Sequence, residues 1–321
     1  MKKTTQRLVN PFEYSDTNKR YYTFEYFCRK KYGGRCVKIP LDAGFTCPNI
    51  DGTCGHGGCI YCSPRGSGDS IPEMLSVREQ YNAGRAAMSA KWDVSRCIPY
   101  FQAHTNTYAP TYVLSRLFNE ALTYDSAIGL DIATRADCLP PDVCALLAEI
   151  AEKTDLTVEL GLQSSNDDTA RLIGRGHDFA AFRDGYARLR AASDKISVCV
   201  HIILGLPGED DEMMMQTVRD TAELHPEFVK LHLLHVLSDT ALSCMYRDGR
   251  YTPLTEEHYV SLVVSALELL PTDTVIARLT GDGMANSLEA PLWSTRKIAV
   301  INDIDKLMYA RNTFQGRLWR G

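Results

Sequence analysis

Short apolar segments alternate with amphipathic segments along most of the chain, and this alternation restricts the possible folds more than any other feature. Such segments are typical of strands buried on both faces, and they lie at Cys36–Asp42, Ile98–Ala103, Gly129–Ala133, Thr157–Gly161, Ser197–Leu204 and Phe228–His235. Helical patterns separate them at Tyr112–Tyr124, Pro141–Lys153, Phe179–Ala192 and Glu212–His225. Strand–helix units in series predict a parallel sheet with right-handed crossovers. Because there are six units rather than the eight of a closed barrel, we expect an α/β fold with an open, partial (β/α)6 TIM-like barrel.

The chain has no internal repeat and no long linker, so its composition guides the division into regions. We expect a basic, aromatic N-terminal segment at residues 1–35, the barrel at 36–250, and a C-terminal extension of helices and a strand, Val275–Leu279, at 251–321. With 45% hydrophobic and 23% charged residues, the composition excludes a disordered or collagen-like chain. No apolar run reaches the ~18 residues that span a bilayer, and the N-terminus lacks the apolar core of a signal peptide. We therefore expect a cytoplasmic protein with no membrane partner.

The chain contains 11 cysteines. In a reducing compartment they seldom form disulfides, so some of them are expected to bind a metal. Cys47, Cys54, Cys59 and Cys62 lie close together in a glycine-rich stretch that follows the first strand. The spacing of Cys59 and Cys62 is used both for zinc and for iron–sulfur clusters. Four ligands, including Cys54, would suit a zinc ion, and three would leave one iron of a cluster open. The spacing alone leaves both alternatives open.

Polar residues and glycines follow several strands, at the edge where parallel α/β sheets bind ligands. Simpler roles are available for some of them. Threonine and asparagine cap turns, and a glutamate in an apolar strand can form a buried ion pair. His201, His232 and His235 lie in or near strands, where a histidine is more often a hydrogen-bonded core residue than a ligand. The candidate binding residues are Gln102, Thr105, Asn106, Arg135, Glu159, Gln163, Ser164, Gly205, Pro207 and Gly208.

Eight stretches, in order along the chain, carry a resemblance to a known family. They are DAGFTCPNIDGTCGHGGCIYC (42–62), YFQAHTNTYAP (100–110), ATRADCLP (133–140), ELGLQSSND (159–167), GRGHDF (174–179), HIILGLPGED (201–210), KLHLLHVLSDTALSCMY (230–246) and RLTGDG (278–283). The chain resembles the radical S-adenosyl-L-methionine (SAM) enzymes, and within them the YhcC-like family related to the Elp3-like radical SAM proteins. The resemblance spans nearly the whole chain.

The resemblance implies a 4Fe–4S cluster on Cys47, Cys59 and Cys62, with Cys54 as a non-ligand. The cysteines follow a C-x11-C-x2-C pattern, which departs from the usual C-x3-C-x2-C. Three thiolates would leave one iron for SAM, whose cleavage gives a 5′-deoxyadenosyl radical. An electron donor such as flavodoxin or ferredoxin is implied as a partner. No catalytic residue is assigned.

The same resemblance implies contacts to SAM from residues at the strand ends. The family's usual Gly-Gly-Glu is replaced here by FQAHTNTY, so the contacts to the SAM amino group differ. We expect Gln102, Thr105 and Asn106 to meet the amino-acid part and Arg135 to pair with a carboxylate. For the ribose hydroxyls the candidates are Glu159, Gln163 and Ser164, and for the adenine Gly205, Pro207 and Gly208.

The first 40 residues hold ten lysines and arginines against three acidic residues, a net charge of +7, and eight aromatic residues. Basic side chains attract phosphates, and aromatic rings stack on unpaired bases. One hypothesis places this segment beside the barrel mouth as an RNA-binding surface. Its members would be Tyr21, Tyr22, Phe24, Tyr26, Phe27, Lys30, Lys31 and Arg35. The alternative is a basic, partly buried segment that packs on an acidic body.

Three functions remain open at this point. The leading hypothesis is a radical SAM enzyme that modifies a wobble-uridine side chain of tRNA, because the Elp3-like enzymes work on that base. A specific form of it is removal of the carboxymethyl part of a carboxymethylaminomethyl group. The second is a radical SAM enzyme acting on a small metabolite or a protein. The third is a zinc-stabilised RNA-binding module without catalysis.

Overall fold

The computed structural model describes residues 11–72, 75–281 and 286–321. Residues 1–10 of the N-terminal segment and the last part of the RLTGDG stretch lie outside these ranges. Seven parallel strands form one curved sheet, an open half-barrel, in which neighbouring strands follow one another along the chain. They are β1 (Val37–Leu41), β2 (Cys97–Phe101), β3 (Gly129–Thr134), β4 (Asp155–Gln163), β5 (Ile196–Leu204), β6 (Phe228–Leu233) and β8 (Val275–Arg278).

The prediction of an open, partial barrel of the α/β class is confirmed, and all six of its predicted strands are present. The strand expected in the C-terminal extension is also present, but it pairs with β6 in parallel. The barrel sheet therefore has seven strands rather than six. A short antiparallel pair, β7 (Val236–Leu237) and β9 (Leu288–Ala290), follows the end of β6.

Side-chain caps start several of the helices. Asp178 and Asp210 each accept a backbone N–H from the residue three positions on, and Ser76 and Glu79 form a capping box. Among the described residues, no helix is long and apolar enough to cross a membrane. The helices are α1 (Phe24–Tyr32), α2 (Val77–Ser89), α3 (Thr111–Ala121), α4 (Pro141–Ala151), α5 (Asp167–Leu172), α6 (Phe179–Ala192), α7 (Asp211–Leu224), α8 (Ala241–Arg247), α9 (Glu256–Leu269) and α10 (Lys297–Ala310).

The two faces of the sheet differ in chemistry. Successive side chains of a strand point to opposite faces, and in β4 Val158 and Leu160 belong to the main apolar core. Glu159, between them, instead contacts charged and polar side chains from other strands. Burial of apolar area at about 25 cal/mol per Å² holds the outer face to the helices. The inner face is left to polar groups.

The aromatic N-terminal segment closes the amino end of the half-barrel. Phe27 packs on Phe228, the first residue of β6, with ring centroids 5.0 Å apart, and Tyr26 is buried. Lys31 pairs with Asp155, the first residue of β4, at 2.7 Å. Cys47 and the other loop cysteines follow β1 at the opposite, carboxyl end. The predicted position of the aromatic platform beside the barrel mouth is therefore wrong, because these rings pack at the amino end of the sheet, where Tyr22, Phe24 and Phe27 are half-buried.

Candidate functional site

The cysteine-rich loop runs from the end of β1 toward α2 and is fixed by backbone hydrogen bonds. The N–H of Cys62 donates to the carbonyl of Cys59 at 2.9 Å, which closes a tight turn between the two cysteines. The N–H of Ile60 donates to the carbonyl of Ile173 at 3.0 Å, and the N–H of Leu242 donates to the carbonyl of Ile60 at 2.8 Å. The turn is thus held between the end of α5 and the start of α8.

Polar side chains lie against two of the three sulfurs implied as cluster ligands. The Nδ2 of Asn49 lies 3.5 Å from the Sγ of Cys59, and it also donates to the carbonyl of Gly174. The Nη1 of Arg135 lies 3.9 Å from the Sγ of Cys47. Amide and guanidinium donors near sulfur stabilise thiolates, the form that binds metal.

The thiol of Cys62 shows how closely the three cysteines converge. Burial and the neighbouring Cys59 and Cys47 thiolates raise the pKa of Cys62 to about 12, while Arg175 opposes the shift. The Cys62 thiol therefore resists ionisation. A positively charged metal centre would relieve this repulsion, because metal binding releases the thiol protons.

The exposure of Cys54 bears on the choice between a cluster and a four-cysteine zinc site. Ligand sulfurs on tetrahedral zinc lie about 3.8 Å apart, as Zn–S bonds of ≈ 2.3 Å require. Among the described residues, only Glu159, Cys199 and His201 bring three metal-binding atoms within 4.8 Å of one another. No three of the loop cysteines meet this limit, and Cys54 is exposed. The exposed position of Cys54 does not favour a closed four-cysteine zinc site.

Two buried arginines connect the cysteine loop to the sheet. Arg135 makes two hydrogen bonds with the carboxylate of Asp137, at 2.9 and 2.7 Å, and its Nη1 donates to the carbonyl of Arg175 at 2.9 Å. Burial alone would raise the pKa of Asp137, but these bonds from Arg135 lower it. The Nη2 of Arg175 in turn donates to the carbonyl of Gly161 in β4. Arg135 thus lies against a proposed cluster ligand and is already paired with a carboxylate.

Sequence reasoning missed Asn49 and Arg175. The available signal was the GRGHDF stretch, where an arginine stands between two glycines. Gly176 has a φ of +80°, and a Cβ there would lie 2.7 Å from the Oδ1 of Asn49. Only glycine fits this approach without strain.

The residues predicted after β2 mostly donate hydrogen bonds to backbone carbonyls. The Nδ2 of Asn106 donates to the carbonyls of Phe101, Ala103 and Ala133 at 2.9–3.1 Å. The side chain of Gln102 donates to the carbonyl of Ser67 at 2.7 Å, and Thr105 is buried. Asn106 therefore links β2 and β3 through its Nδ2, while its Oδ1 is buried without a hydrogen-bond partner among the described residues, so its contact with SAM remains a prediction. Gln102 supports the far end of the cysteine loop.

The residues after β4 and β5 lie at the carboxyl rim, as expected. Gln163 ends β4 with a φ of +71°, and its Oε1 is buried without a hydrogen-bond partner. Ser164 donates to Glu209. Gly205 and Gly208 adopt φ values of +88° and +84°. Contacts of Gln163, Ser164, Gly205, Pro207 and Gly208 with SAM remain predictions, and the unpartnered oxygen of Gln163 is an acceptor that a ligand can use.

Glu159 lies in the middle of β4, not at its end, and is fully buried. Its carboxylate accepts hydrogen bonds from Lys38 at 2.8 Å, from His201 at 2.8 Å, and from Lys230 and Tyr100. Burial would raise the pKa of Glu159, but the two ammonium groups hold it well below its usual value. The alternative of a buried ion pair is therefore correct for Glu159, and its place in the middle of β4, with four donors on its carboxylate, does not support its assignment to the SAM ribose.

Two family models cover most of the sheet. The model for the radical SAM superfamily matches residues 50–221, and the model for the radical SAM C-terminal domain matches residues 226–310. The chain belongs to the radical SAM superfamily. The first match contains Cys59 and Cys62 but begins after Cys47, in agreement with the unusually long spacing before the pair.

The full-length relatives confirm the YhcC-like family. This radical SAM protein is 44% identical to Bacillus subtilis YtqA over 312 residues, 97% of this chain and 96% of that protein. It is 31% identical to Escherichia coli YhcC over 294 residues, 90% of this chain and 94% of that protein. It is also 32% identical over 171 residues to the tRNA uridine(34) acetyltransferase of Dehalococcoides mccartyi, which is 51% of this chain and 36% of that protein.

The fold is similar to that of a solved structure, Methanocaldococcus infernus Elp3 lacking its first 46 residues. The TM-score is 0.64 at 16% identity, over 87% of this chain and 64% of that chain. At this identity the similarity describes the half-barrel alone.

Proposed function

We propose that this radical SAM enzyme holds a 4Fe–4S cluster on Cys47, Cys59 and Cys62 and modifies the side chain of the wobble uridine of tRNA. The observation that carries the proposal is the convergence of these three sulfurs, with Arg135 and Asn49 against two of them, at the carboxyl rim of a parallel sheet. Parallel α/β sheets place their chemistry at this rim.

The bound cluster supplies the electron that cleaves SAM to a 5′-deoxyadenosyl radical, which removes hydrogen from the substrate. The residues of this chain would bind the cluster, orient SAM and the substrate, and shield the reaction. Asn49 and Arg135 donate toward thiolate sulfur and so favour the ionised ligands. Gln163 offers a buried acceptor at the rim. Phe27 and Phe228 pack together at the amino end of the barrel.

The tRNA part of the proposal is supported by sequence. A stretch covering half of this chain is similar to tRNA uridine(34) acetyltransferase, and the structural likeness to an Elp3 protein agrees with that relation. The specific form we propose is removal of the carboxymethyl part of a carboxymethylaminomethyl group. SAM would accept a hydride equivalent from the methylene next to the carboxylate, giving methionine and 5′-deoxyadenosine, and water would hydrolyse the resulting imine to an aminomethyl group and glyoxylate. The N-terminal aromatic segment no longer contributes support, since it packs at the other end of the barrel.

The test uses tRNA nucleosides. Anaerobically reconstituted protein is incubated with SAM, a reductant such as reduced flavodoxin, and tRNA from a strain lacking the gene, and the nucleosides are analysed by mass spectrometry. We expect loss of the carboxymethylaminomethyl nucleoside with the wild type and no change with Cys59→Ala. Unchanged nucleosides with wild-type protein that still cleaves SAM would contradict the tRNA substrate and favour a small metabolite or a protein.

A further inference from the structure

Three histidines line the inner face of the half-barrel. His201 lies on β5 and His232 on β6, with ring centroids 5.1 Å apart. His235 follows the end of β6 and lies against Gly281, where an added Cβ would be 2.7 Å from its Cε1. Of the three, His201 is bonded to Glu159. The rings therefore form a row from the middle of the sheet toward its carboxyl rim.

Two nitrogens of this row have no partner. The Nε2 atoms of His232 and His235 are buried without a hydrogen bond to any described group. Buried polar atoms are nearly always hydrogen-bonded, and one left unpaired costs free energy that a ligand can recover. Such orphaned nitrogens on the inner face indicate a place where a bound molecule completes the structure.

Two basic side chains, Arg278 and Lys297, lie near the same row. Arg278 of β8 lies in register with Lys230 of β6, beside His232. Burial, followed by His201, Arg278 and Lys230, lowers the pKa of His232, and burial, followed by Lys297 and Arg278, lowers the pKa of His235 to about 4. Guanidinium, ammonium and imidazole N–H groups suit carboxylate or phosphate oxygens.

The row also lies close to the cysteine loop. His201 is in register with Gly161 of β4, and a Cβ on Gly161 would be 3.0 Å from the Nη2 of Arg175. Arg175 is in turn bonded through its carbonyl to Arg135, which lies against Cys47. The histidines thus belong to the interior of the half-barrel, beside the strand that Arg175 joins to the cysteine loop.

We propose that His232 and His235, together with Arg278 and Lys297, form a subsite that binds an anionic group of the substrate, a carboxylate or a phosphate. The proposal rests on the proposed function in placing the reaction at this rim. For a carboxymethylaminomethyl substrate the group is the side-chain carboxylate, and the alternative source is a tRNA phosphate.

The subsite is tested by calorimetric titration of the reconstituted holoprotein, at constant ionic strength, with N-methylglycine and with inorganic phosphate. We expect saturable binding of one of them, weakened about tenfold in His232→Phe and in Arg278→Met. His232→Gln, which restores an N–H near the Nε2 position, should regain part of the affinity. Arg247→Met, an exposed arginine paired with Glu289, serves as the matched control with unchanged affinity. Iron content and SAM cleavage without substrate show that each variant is folded.

The two probes distinguish the sources of the anion. Binding of N-methylglycine alone supports recognition of the carboxylate of the carboxymethylaminomethyl group. Binding of phosphate alone supports recognition of a phosphate of the tRNA backbone. Wild-type affinity in both His232→Phe and Arg278→Met, or no saturable binding of either probe, would overturn the subsite. If the anion binds as expected but tRNA nucleosides do not change, the subsite stands and the tRNA proposal fails.

Discussion

Glu159→Gln removes one of two carboxylates from a buried network that also contains Lys38, Lys230 and Asp131. In the wild type two ammonium groups are matched by two carboxylates, all on the inner face of the sheet. The substitution keeps the shape of the side chain but leaves two lysines with one carboxylate. Breaking a buried ion pair by removing one partner costs about 3–5 kcal/mol, and Glu159, being fully buried, belongs in that range. We expect a loss of this size in the free energy of unfolding.

The assay is urea unfolding of the holoprotein at pH 7, with Glu152→Gln as the matched control. Glu152 pairs with Lys195 at 2.6 Å, but both side chains are more than half exposed, so its loss should leave the unfolding midpoint nearly unchanged. The double variant Glu159→Gln/Lys230→Met should recover much of the lost stability, since it restores the charge balance. If Glu159→Gln shifts the midpoint no more than Glu152→Gln does, the reasoning about the buried network is refuted.

Three further predictions concern other parts of the structure. Arg135→Met leaves Asp137 and the carbonyl of Arg175 without their donor. We therefore expect a destabilisation of about 3 kcal/mol and loss of iron on gel filtration. Full iron retention with unchanged stability would contradict this role of Arg135. Phe27→Ala should destabilise the protein by about 3 kcal/mol, and tRNA affinity measured by filter binding should stay unchanged. A selective loss of tRNA affinity would instead support the hypothesis of an aromatic RNA-binding platform. Folding lowers the pKa of Glu159 from 4.5, so its ionised carboxylate stabilises the protein fully above pH 4.5, and this stabilisation declines as the pH falls further. The acid unfolding curves of the wild type and Glu159→Gln should therefore converge below pH 4.5. Parallel curves would disprove this pH dependence.

The barrel could be predicted from the sequence because its strands are short apolar runs that alternate with helical periodicity. The wrong predictions concern residues whose place in the fold is not determined by the local sequence pattern. A strand ending at Gly161 puts Glu159 near the rim, but β4 continues to Gln163, so Glu159 moves to the middle of the sheet. The lysines that neutralise it come from β1 and β6, and no local signal connects them.

The N-terminal segment was misplaced for a related reason. A net charge of +7 with many aromatic residues is compatible with an RNA surface and with a packed segment. What decides between them is the partner, and the partners of Phe27 and Lys31 are Phe228 and Asp155, far away in sequence. The cysteine loop was located correctly because its ligands are local, whereas its supports Arg135 and Arg175 meet it only in the folded chain.

Formation of 5′-deoxyadenosine tests the central claim most directly. Anaerobically reconstituted protein is mixed with SAM and dithionite, and the product is quantified by chromatography for the wild type and for single alanine variants of the four loop cysteines. The account predicts product from the wild type and from Cys54→Ala, and none from Cys47→Ala, Cys59→Ala or Cys62→Ala. Loss of product in Cys54→Ala, or wild-type product in Cys47→Ala, would contradict the assignment of the cluster ligands.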